Sequence, residues 1–226
     1  RNQRVATCDQ HGVTFLDTAE NYRGMHAMLK PVIAQVDREK IQIQGKIPHG
    51  RHDNAMEAID RYRQELGTEY FDTLLIHCVV TRNWVEEQKR LRDQLDEAKE
   101  KGLIRATGCS LHGLQPLEGA VESDWGDVRF VRVNHNGVKM DGPTGDWNEQ
   151  GEVDQVIPSV RKMHAQGKGI IGMKLIGNGE FTDPETRARS IDFVMGLDCV
   201  DAVIIGCKSI AEVDEAIENH GGWPIK

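Results

Sequence analysis

Short apolar segments recur along the chain, and longer segments with helical spacing separate them. Seven of the short segments have the composition of buried strands: Val13–Asp17, Ile41–Lys46, Phe71–His77, Leu103–Ser110, Val128–Asn134, Gly169–Leu175 and Asp201–Gly206. Strands buried on both faces of a parallel sheet are continuously apolar in this way, whereas half-exposed antiparallel strands alternate. The pattern therefore predicts seven parallel strands.

The segments between the strands carry signals of helix ends. Asp53 is predicted to cap a helix that ends at Gly67. Asp183 precedes a proline, which suits the first turn of a helix. Ser209 and Glu212 have the spacing of a capping box. Strands that alternate with helices in this order indicate parallel βαβ units, either in a doubly wound sheet or in a (β/α)8 barrel.

Polar residues at the strand ends distinguish these two architectures. A doubly wound dinucleotide-binding sheet carries G-x-G-x-x-G after its first strand, and the sequence contains no such turn. Instead, reactive side chains end or follow nearly every strand, namely Asp17, Lys46, His77, Ser110, Asn134, Lys174 and Lys208. Only a barrel gathers all these ends at one mouth. We therefore predict a (β/α)8 TIM barrel.

The predicted barrel is one strand short. Residues 1–12 are too few for a strand and a helix before Val13. We therefore expect that the first strand is missing, and that residues 1–226 form a single, N-terminally truncated barrel domain.

Composition narrows the class of partner. The 226 residues carry a formal net charge of −8, which disfavours a nucleic-acid-binding protein. The five cysteines are an odd number without a C-x-x-C pair, so we expect neither a disulfide framework nor a metal site. No apolar stretch reaches the length of a membrane span or forms a signal core. We expect a cytoplasmic protein whose partner is a small molecule, and the oligomeric state stays open.

Four residues that a barrel would bring together form a proton-transfer set: Asp17, Tyr22, Lys46 and His77. A tyrosine is a weak acid near neutral pH because its ordinary pKa is about 10. A neighbouring lysine ammonium would lower that pKa, and an aspartate would keep the lysine charged. A neutral histidine could hold a carbonyl oxygen towards the phenol. Such a set is suited to protonating an oxygen while a hydride reaches its carbon.

Several segments are similar to those of the aldo-keto reductases. GVTFLDTAENY resembles the family's opening signature, in which an aspartate precedes the acid tyrosine by five residues. QIQGK and FDTLLIH resemble the segments that contain the family's lysine and histidine. EAKEKGLIRATGCS, GIIGMKLIGNG and AVIIGCKSIAEVDEAIEN are similar to cofactor-contacting segments. The resemblance extends from about Gly12 to Asn219.

The resemblance implies an NAD(P)H-dependent oxidoreductase that transfers a hydride from NADPH, or less often NADH, to an aldehyde or ketone. In that scheme Tyr22 is the general acid, Asp17 and Lys46 tune it, and His77 orients the carbonyl group. The implied cofactor-binding residues are Ser110, Asn134 (or Arg132), Met173, Lys174, Gly206, Lys208, Ser209 and Asn219.

Two other functions are compatible with a barrel. An aldolase-like lyase would form a Schiff base on Lys46 or Lys174, although it leaves the spacing of Asp17 and Tyr22 unexplained. Alternatively, the chain is a non-catalytic regulatory subunit that binds the cofactor, in which case a partner chain would cover the strand edges that a missing first strand exposes.

Overall fold

Strands and helices alternate throughout residues 12–50 and 54–219, the part of the chain that the computed structural model describes. The strands there are β1 (Phe15–Asp17), β2 (Gln42–Pro48), β3 (Phe71–Val79), β4 (Ile104–Leu111), β5 (Val128–Arg132), β6 (Gly169–Met173) and β7 (Ala202–Val203). The α-helices there are α1 (Met25–Ile33), α2 (Ala55–Leu66), α3 (Trp84–Glu87), α4 (Lys89–Glu100), α5 (Leu114–Val121), α6 (Val153–Ala165), α7 (Pro184–Met195) and α8 (Ile210–Asn219).

Each of the seven predicted segments contains a strand, so the predicted α/β alternation is confirmed. The ends differ by a few residues: β3 continues past His77 to Val79, and β7 has only two residues. The (β/α)8 closure, the missing first strand and the single domain over residues 1–226 stay predictions. None of the helices in the described ranges has the length and the apolar character needed to cross a membrane.

The chain divides into two compact units. The first unit comprises residues up to Val79, Val85–Ser110 and Trp125–Val128. Its strands lie in the order β1-β2-β3-β4, and β2 pairs in parallel with both β1 and β3. Helix α2 packs between α1 and α4 in this unit. This unit contains all four residues of the predicted proton-transfer set.

The second unit comprises Val80–Trp84, Leu111–Asp124 and the chain from Arg129 onwards. Its strands lie in the order β5-β6-β7, and β6 pairs in parallel with β7. Helix α6 packs against both α5 and β6, and α7 packs against α8. Most of the residues that the resemblance assigns to the cofactor lie in this unit.

The helix ends agree with the sequence signals, with one correction. Gly67 ends α2 in a left-handed conformation, with φ 71°, as predicted. Asp183 accepts the N–H of Thr186 and so caps α7 as predicted. The predicted cap Asp53 is wrong: Asn54 caps α2, because its side chain accepts the N–H group three residues further along. Asp53 itself lies outside the described residues.

The two faces of β2 have opposite characters. One face presents Ile43, Gly45 and Ile47, all of them buried. A Cβ atom added to Gly45 would lie 2.8 Å from side-chain carbons of both Leu74 and Phe71, so a larger residue would not fit there. The apolar packing on this face directs the alternate residues of β2, among them Gln44 and Lys46, to the other face.

Candidate active site

The register of the first three strands places four polar side chains on one face of the sheet. Asp17 lies opposite Gln44 in the β1–β2 pairing, and Pro48 lies opposite His77 in the β2–β3 pairing. Because side chains alternate between the two faces of a strand, Gln44, Lys46 and Pro48 share one face. Asp17 and His77 therefore project from the same face as Lys46.

The turn after β1 carries Tyr22 and is attached to the end of β2. The N–H of Thr18 donates to the carbonyl of Gln44 at 2.9 Å, and the N–H of Glu20 donates to the carbonyl of Lys46 at 3.3 Å. These backbone bonds extend the pairing of β1 and β2 beyond the end of β1. They hold the segment that leads to Tyr22 beside the strand that carries the lysine.

Lys46 and Asp17 form an ion pair inside the first unit. The Lys46 side chain is fully buried, and its Nζ donates to Oδ1 of Asp17 and, at 3.0 Å, to the carbonyl of Thr18. Removing an ammonium group from water is costly unless an opposite charge and hydrogen bonds compensate it. The carboxylate and the carbonyl together provide that compensation.

Tyr22 lies against both Lys46 and His77. The Lys46 Nζ is 4.9 Å from the centre of the tyrosine ring. The His77 ring meets the tyrosine edge-on, with 6.0 Å between ring centres and an interplanar angle of 83°. Tyr22 is 37% exposed, so a ligand can reach it. The structure thus brings the four predicted residues together around one partly exposed phenol.

The pKa values do not shift as the sequence predicts. Partial burial raises the pKa of Tyr22, and the negative charges of Asp17 and Cys78 raise it further. Burial lowers the pKa of Lys46, and the Asp17 carboxylate acts against that shift. The expectation of a lowered tyrosine pKa is therefore wrong in direction. The physical reason is that burial disfavours the charged phenolate, and the nearby Asp17 carboxylate disfavours it further.

Ser110 lies at the end of β4 and supports the end of β3. Its Oγ accepts the N–H of Cys78 at 3.0 Å. Cys78 has a φ of 62°, a left-handed conformation that is unfavourable for a residue with a side chain. Ser110 therefore stabilises the backbone directly after His77, and a cofactor contact is a second task for the same hydroxyl.

Asn134 follows β5 and organises the loop after it. Its side-chain nitrogen donates to the carbonyls of Val138 and Lys174, at 2.7 and 3.1 Å. Its side-chain oxygen accepts the N–H groups of Asn136 and Gly137, at 3.2 and 2.8 Å. These four bonds engage both donors and both acceptor positions of the amide. Asn134 can contact a cofactor only by giving up one of these bonds.

Arg132 ends β5 and forms a second buried ion pair, with Asp141 in the following loop. The Arg132 Nε donates to Oδ1 of Asp141 at 2.7 Å, and both side chains are fully buried. The same oxygen accepts the N–H of Gly113 at 2.6 Å. Arg132 Nη1 has no hydrogen-bond partner among the described residues. That nitrogen is buried, so a carboxamide oxygen could accept a hydrogen bond from it only if the side chains that cover it moved.

A tryptophan that the resemblance does not assign to the site lies beside these residues. Trp147 stacks on His112, with 5.3 Å between the ring centres, and it is 42% exposed. The Lys174 Nζ lies 4.9 Å from the centre of the Trp147 ring and also donates to Asn178 at 2.7 Å. Sequence reasoning misses His112 and Asp141, because no motif or spacing links them to their partners.

Lys208, one of the residues that the resemblance implies for the cofactor, lies beside a glycine-rich turn in the second unit. The turn Gly177–Gly179 follows β6, and a Cβ atom on Gly179 would lie 3.9 Å from the Lys208 Nζ. Ser209 caps α8 by accepting the N–H of Glu212 at 3.2 Å. A lysine ammonium, a turn with two glycines and a helix N-terminus suit a phosphate group. The residues present therefore fit the phosphate end of a dinucleotide.

The remaining predicted cofactor residues lie in the same unit. Met173 ends β6 and is buried, whereas Gly206 follows β7 and is exposed. A Cβ atom on Gly206 would meet no atom within 4 Å, so there is open space beside that backbone. Asn219 is half-buried at the end of α8.

The amino-acid sequence matches a family model. The model of the aldo/keto reductase family matches residues 1–198 of this chain. Among curated proteins, no relative matches the chain.

Solved structures of aldo-keto reductases have a similar fold. A protein from Pseudomonas aeruginosa assigned to these enzymes superposes with a TM-score of 0.76 at 21% identity, over 97% of this chain and 81% of that one. The holo form of an aldo-keto reductase from Bacillus halodurans superposes with a TM-score of 0.76 at 14% identity, over 100% of this chain and 83% of that one. An aldo-keto reductase from Klebsiella pneumoniae in complex with NADPH superposes with a TM-score of 0.70 at 16% identity, over 97% of this chain and 78% of that one. At these identities, the likeness concerns the fold.

The Arg132–Asp141 pair generates a prediction about stability. Asp141→Ala leaves the buried guanidinium without its carboxylate, so we expect a loss of about 3 to 5 kcal/mol in the free energy of unfolding, measured with urea. The double variant Arg132→Leu with Asp141→Leu removes both charges, and we expect it to lose less than the two single leucine variants lose in sum. Losses that simply add would contradict a direct interaction.

Proposed function

Because the chain belongs to the aldo/keto reductase family, whose members are NAD(P)H-dependent oxidoreductases, we propose that it reduces an aldehyde or a ketone with NADPH or NADH. The observation that carries this proposal is the meeting of Tyr22, Lys46, Asp17 and His77 around one partly exposed phenol. The test is the oxidation of reduced cofactor in the presence of a panel of aldehydes and ketones.

The proposed cofactor residues fall into two chemical groups. Lys208 and Ser209, with the open backbone at Gly206, are suited to the phosphates, and Asn219 is proposed for the adenine end. In the second unit, we propose for the nicotinamide end Asn134, Met173, Lys174 and Arg132, whose Nη1 has no hydrogen-bond partner among the described residues. Ser110 of the first unit is proposed as a further nicotinamide contact. The bound cofactor supplies the hydride that the carbonyl carbon receives. The 2′-phosphate is the group by which NADPH differs from NADH, and we propose the Lys208 ammonium as its partner, which favours NADPH.

Tyr22 donates the proton to the carbonyl oxygen in the proposed reaction. A phenol with a raised pKa retains its proton at neutral pH, so the acid is present before the reaction starts. The oxygen of a carbonyl that gains a hydride becomes an alkoxide, which is a stronger base than a phenolate. Proton transfer from Tyr22 to that oxygen is therefore favourable even though burial weakens the phenol as an acid.

His77 and Lys46 determine where the substrate oxygen lies. The His77 ring adjoins the tyrosine ring, so a neutral imidazole there can donate a hydrogen bond to an oxygen that Tyr22 also contacts. The Lys46 ammonium, held by Asp17, provides a fixed positive charge beside the phenol as negative charge forms on the reacting oxygens. Asp17 touches no substrate in this scheme and acts by holding the lysine.

The lyase alternative receives less support. A Schiff base requires a neutral, accessible amine. The Lys46 Nζ is buried and donates to both Asp17 and the Thr18 carbonyl, so it is held as a hydrogen-bond donor. The Lys174 Nζ donates to Asn178 and lies over the Trp147 ring. The regulatory-subunit alternative predicts cofactor binding without turnover, and the same substrate panel tests it.

The first prediction of this proposal concerns the phenolic hydroxyl. Tyr22→Phe keeps the ring and removes the proton donor, so we expect kcat for carbonyl reduction to fall by about 100- to 10,000-fold while cofactor affinity changes little. The measurements are steady-state kinetics and a cofactor-binding titration.

A second tyrosine provides the matched control for that variant. The contacts of Tyr70 with Arg38 and Arg105 are to its ring face, which phenylalanine retains. We expect Tyr70→Phe to keep kcat within about twofold of the wild type. Equal rates for Tyr22→Phe and Tyr70→Phe would show that Tyr22 donates no proton.

The second prediction concerns pH. The acid must be protonated to act, and the raised pKa of Tyr22 moves its deprotonation to higher pH. We therefore expect kcat for reduction to show no fall from tyrosine ionisation between about pH 7 and about pH 9. The measurement is kcat with saturating cofactor and carbonyl substrate across that range. A fall with a midpoint near about pH 8 would indicate a lowered tyrosine pKa and contradict the account.

A further inference from the structure

Gln44 is a polar side chain in a fully buried position of β2. It lies two residues before Lys46, on the same face of the strand, and directly opposite Asp17 in the β1–β2 register. Its relative exposure is 0%. Glutamine is rarely buried to this degree unless its amide group has a specific partner.

The partner of the Gln44 amide is the carboxylate of the proposed site. The Gln44 Nε2 donates to Oδ1 of Asp17 at 2.7 Å. The same oxygen receives the Lys46 ammonium. The other end of the amide, Oε1, is buried and has no hydrogen-bond partner among the residues that the structure describes. An unpaired buried oxygen destabilises the fold, whereas the N–H group stabilises a charged carboxylate.

We infer that Gln44 is a positioning residue for the proposed reduction: its amide fixes the Asp17 carboxylate in the place from which that carboxylate holds Lys46. This inference rests on the proposed function. Gln44 lies within the segment QIQGK that carries the resemblance, but the resemblance gives a role there only to Lys46.

The physical reason is that one ammonium does not fix a carboxylate by itself. Lys46 has a flexible side chain, and its pairing with Asp17 permits more than one position of the carboxylate. A second donor, two residues earlier on the same strand, restricts the carboxylate oxygen from a different direction. The amide is neutral, so it stabilises the charge of Asp17 without adding a formal charge beside Tyr22.

Three variants separate this task from simple packing. Gln44→Leu removes the donor at similar volume, and Gln44→Glu replaces the donor with a group that donates only when protonated. Gln42→Leu is the matched control, because Gln42 has the same chemistry and lies on the same face of the same strand but is exposed. Near-ultraviolet circular dichroism checks that each variant folds.

The kinetic experiment measures kcat and KM for the reductive reaction at several pH values. We expect Gln44→Leu to lower kcat by roughly 10- to 100-fold at all pH values with a smaller change in KM, whereas Gln42→Leu stays near the wild type. We expect Gln44→Glu to lose activity at high pH and to recover as the pH falls, because protonation restores a donor to Asp17. A packing role alone would not produce that recovery.

A second measurement does not depend on activity. In the unliganded protein, the carboxyl carbon resonance of Asp17, measured by nuclear magnetic resonance, reports the hydrogen bonds that the carboxylate accepts. At one fixed pH, we expect that resonance to shift in Gln44→Leu and in Gln44→Glu relative to the wild type, because Oδ1 loses the amide donor, and to stay unchanged in Gln42→Leu. This readout also decides the question if Gln44→Leu does not fold, because Gln44→Glu then supplies the comparison.

The two readouts distinguish the possible failures. If the wild type oxidises no cofactor with any carbonyl compound, the proposed function fails, and the Asp17 resonance still shows whether Gln44 holds the carboxylate. If the Asp17 resonance is the same in the wild type and in the Gln44 variants, the inference is overturned. It is equally overturned if Gln44→Leu and Gln42→Leu change kcat by the same small factor.

Discussion

The ion pair between Lys46 and Asp17 is the interaction on which the rest of the site depends. A buried ammonium is tolerated only where a carboxylate and further hydrogen bonds compensate it. The ends of β1 and β2 provide both, because Asp17 ends one strand and the Thr18 carbonyl follows it. Removing either charge would leave the other uncompensated inside the sheet. The pair therefore fixes the position of the positive charge that lies beside Tyr22.

The parallel register transmits that constraint to the neighbouring residues. Gly45 packs so closely against Phe71 and Leu74 that β2 has only one face on which large polar side chains fit. A slip of one residue would bring Lys46 to that apolar face and remove it from Asp17. The fold and the site are thus specified by the same contacts: apolar packing on one side of β2 and a polar network on the other.

The sequence predicts those features that depend on local pattern. Continuously apolar segments predict each of the seven strands found within residues 12–50 and 54–219. Polar residues at the strand ends predict that Asp17, Lys46 and His77 come together. The resemblance adds Tyr22, whose turn has no periodic signal of its own. The pattern does not predict the cap of α2, since Asp53 and its neighbour Asn54 are both good capping residues.

The sequence does not predict features that depend on contacts between residues distant along the chain. The hydrogen bond of Gln44 to Asp17 depends on the register of β1 and β2, and that of Arg132 to Asp141 depends on the conformation of the loop after β5. No rule of residue spacing predicts either bond. The direction of the Tyr22 pKa shift depends on how far the folded chain buries the phenol and on how close it brings Asp17, and the sequence gives neither.

The most direct test of the central claim is a double-mutant cycle on kcat for carbonyl reduction, using Asp17→Asn, Lys46→Met and the two together. If the carboxylate acts by holding the ammonium, removing Asp17 from a protein that already lacks Lys46 has little further effect, so the double variant is about as slow as the slower single variant. Losses that multiply across the two positions would show that Asp17 and Lys46 act independently, and would contradict the account.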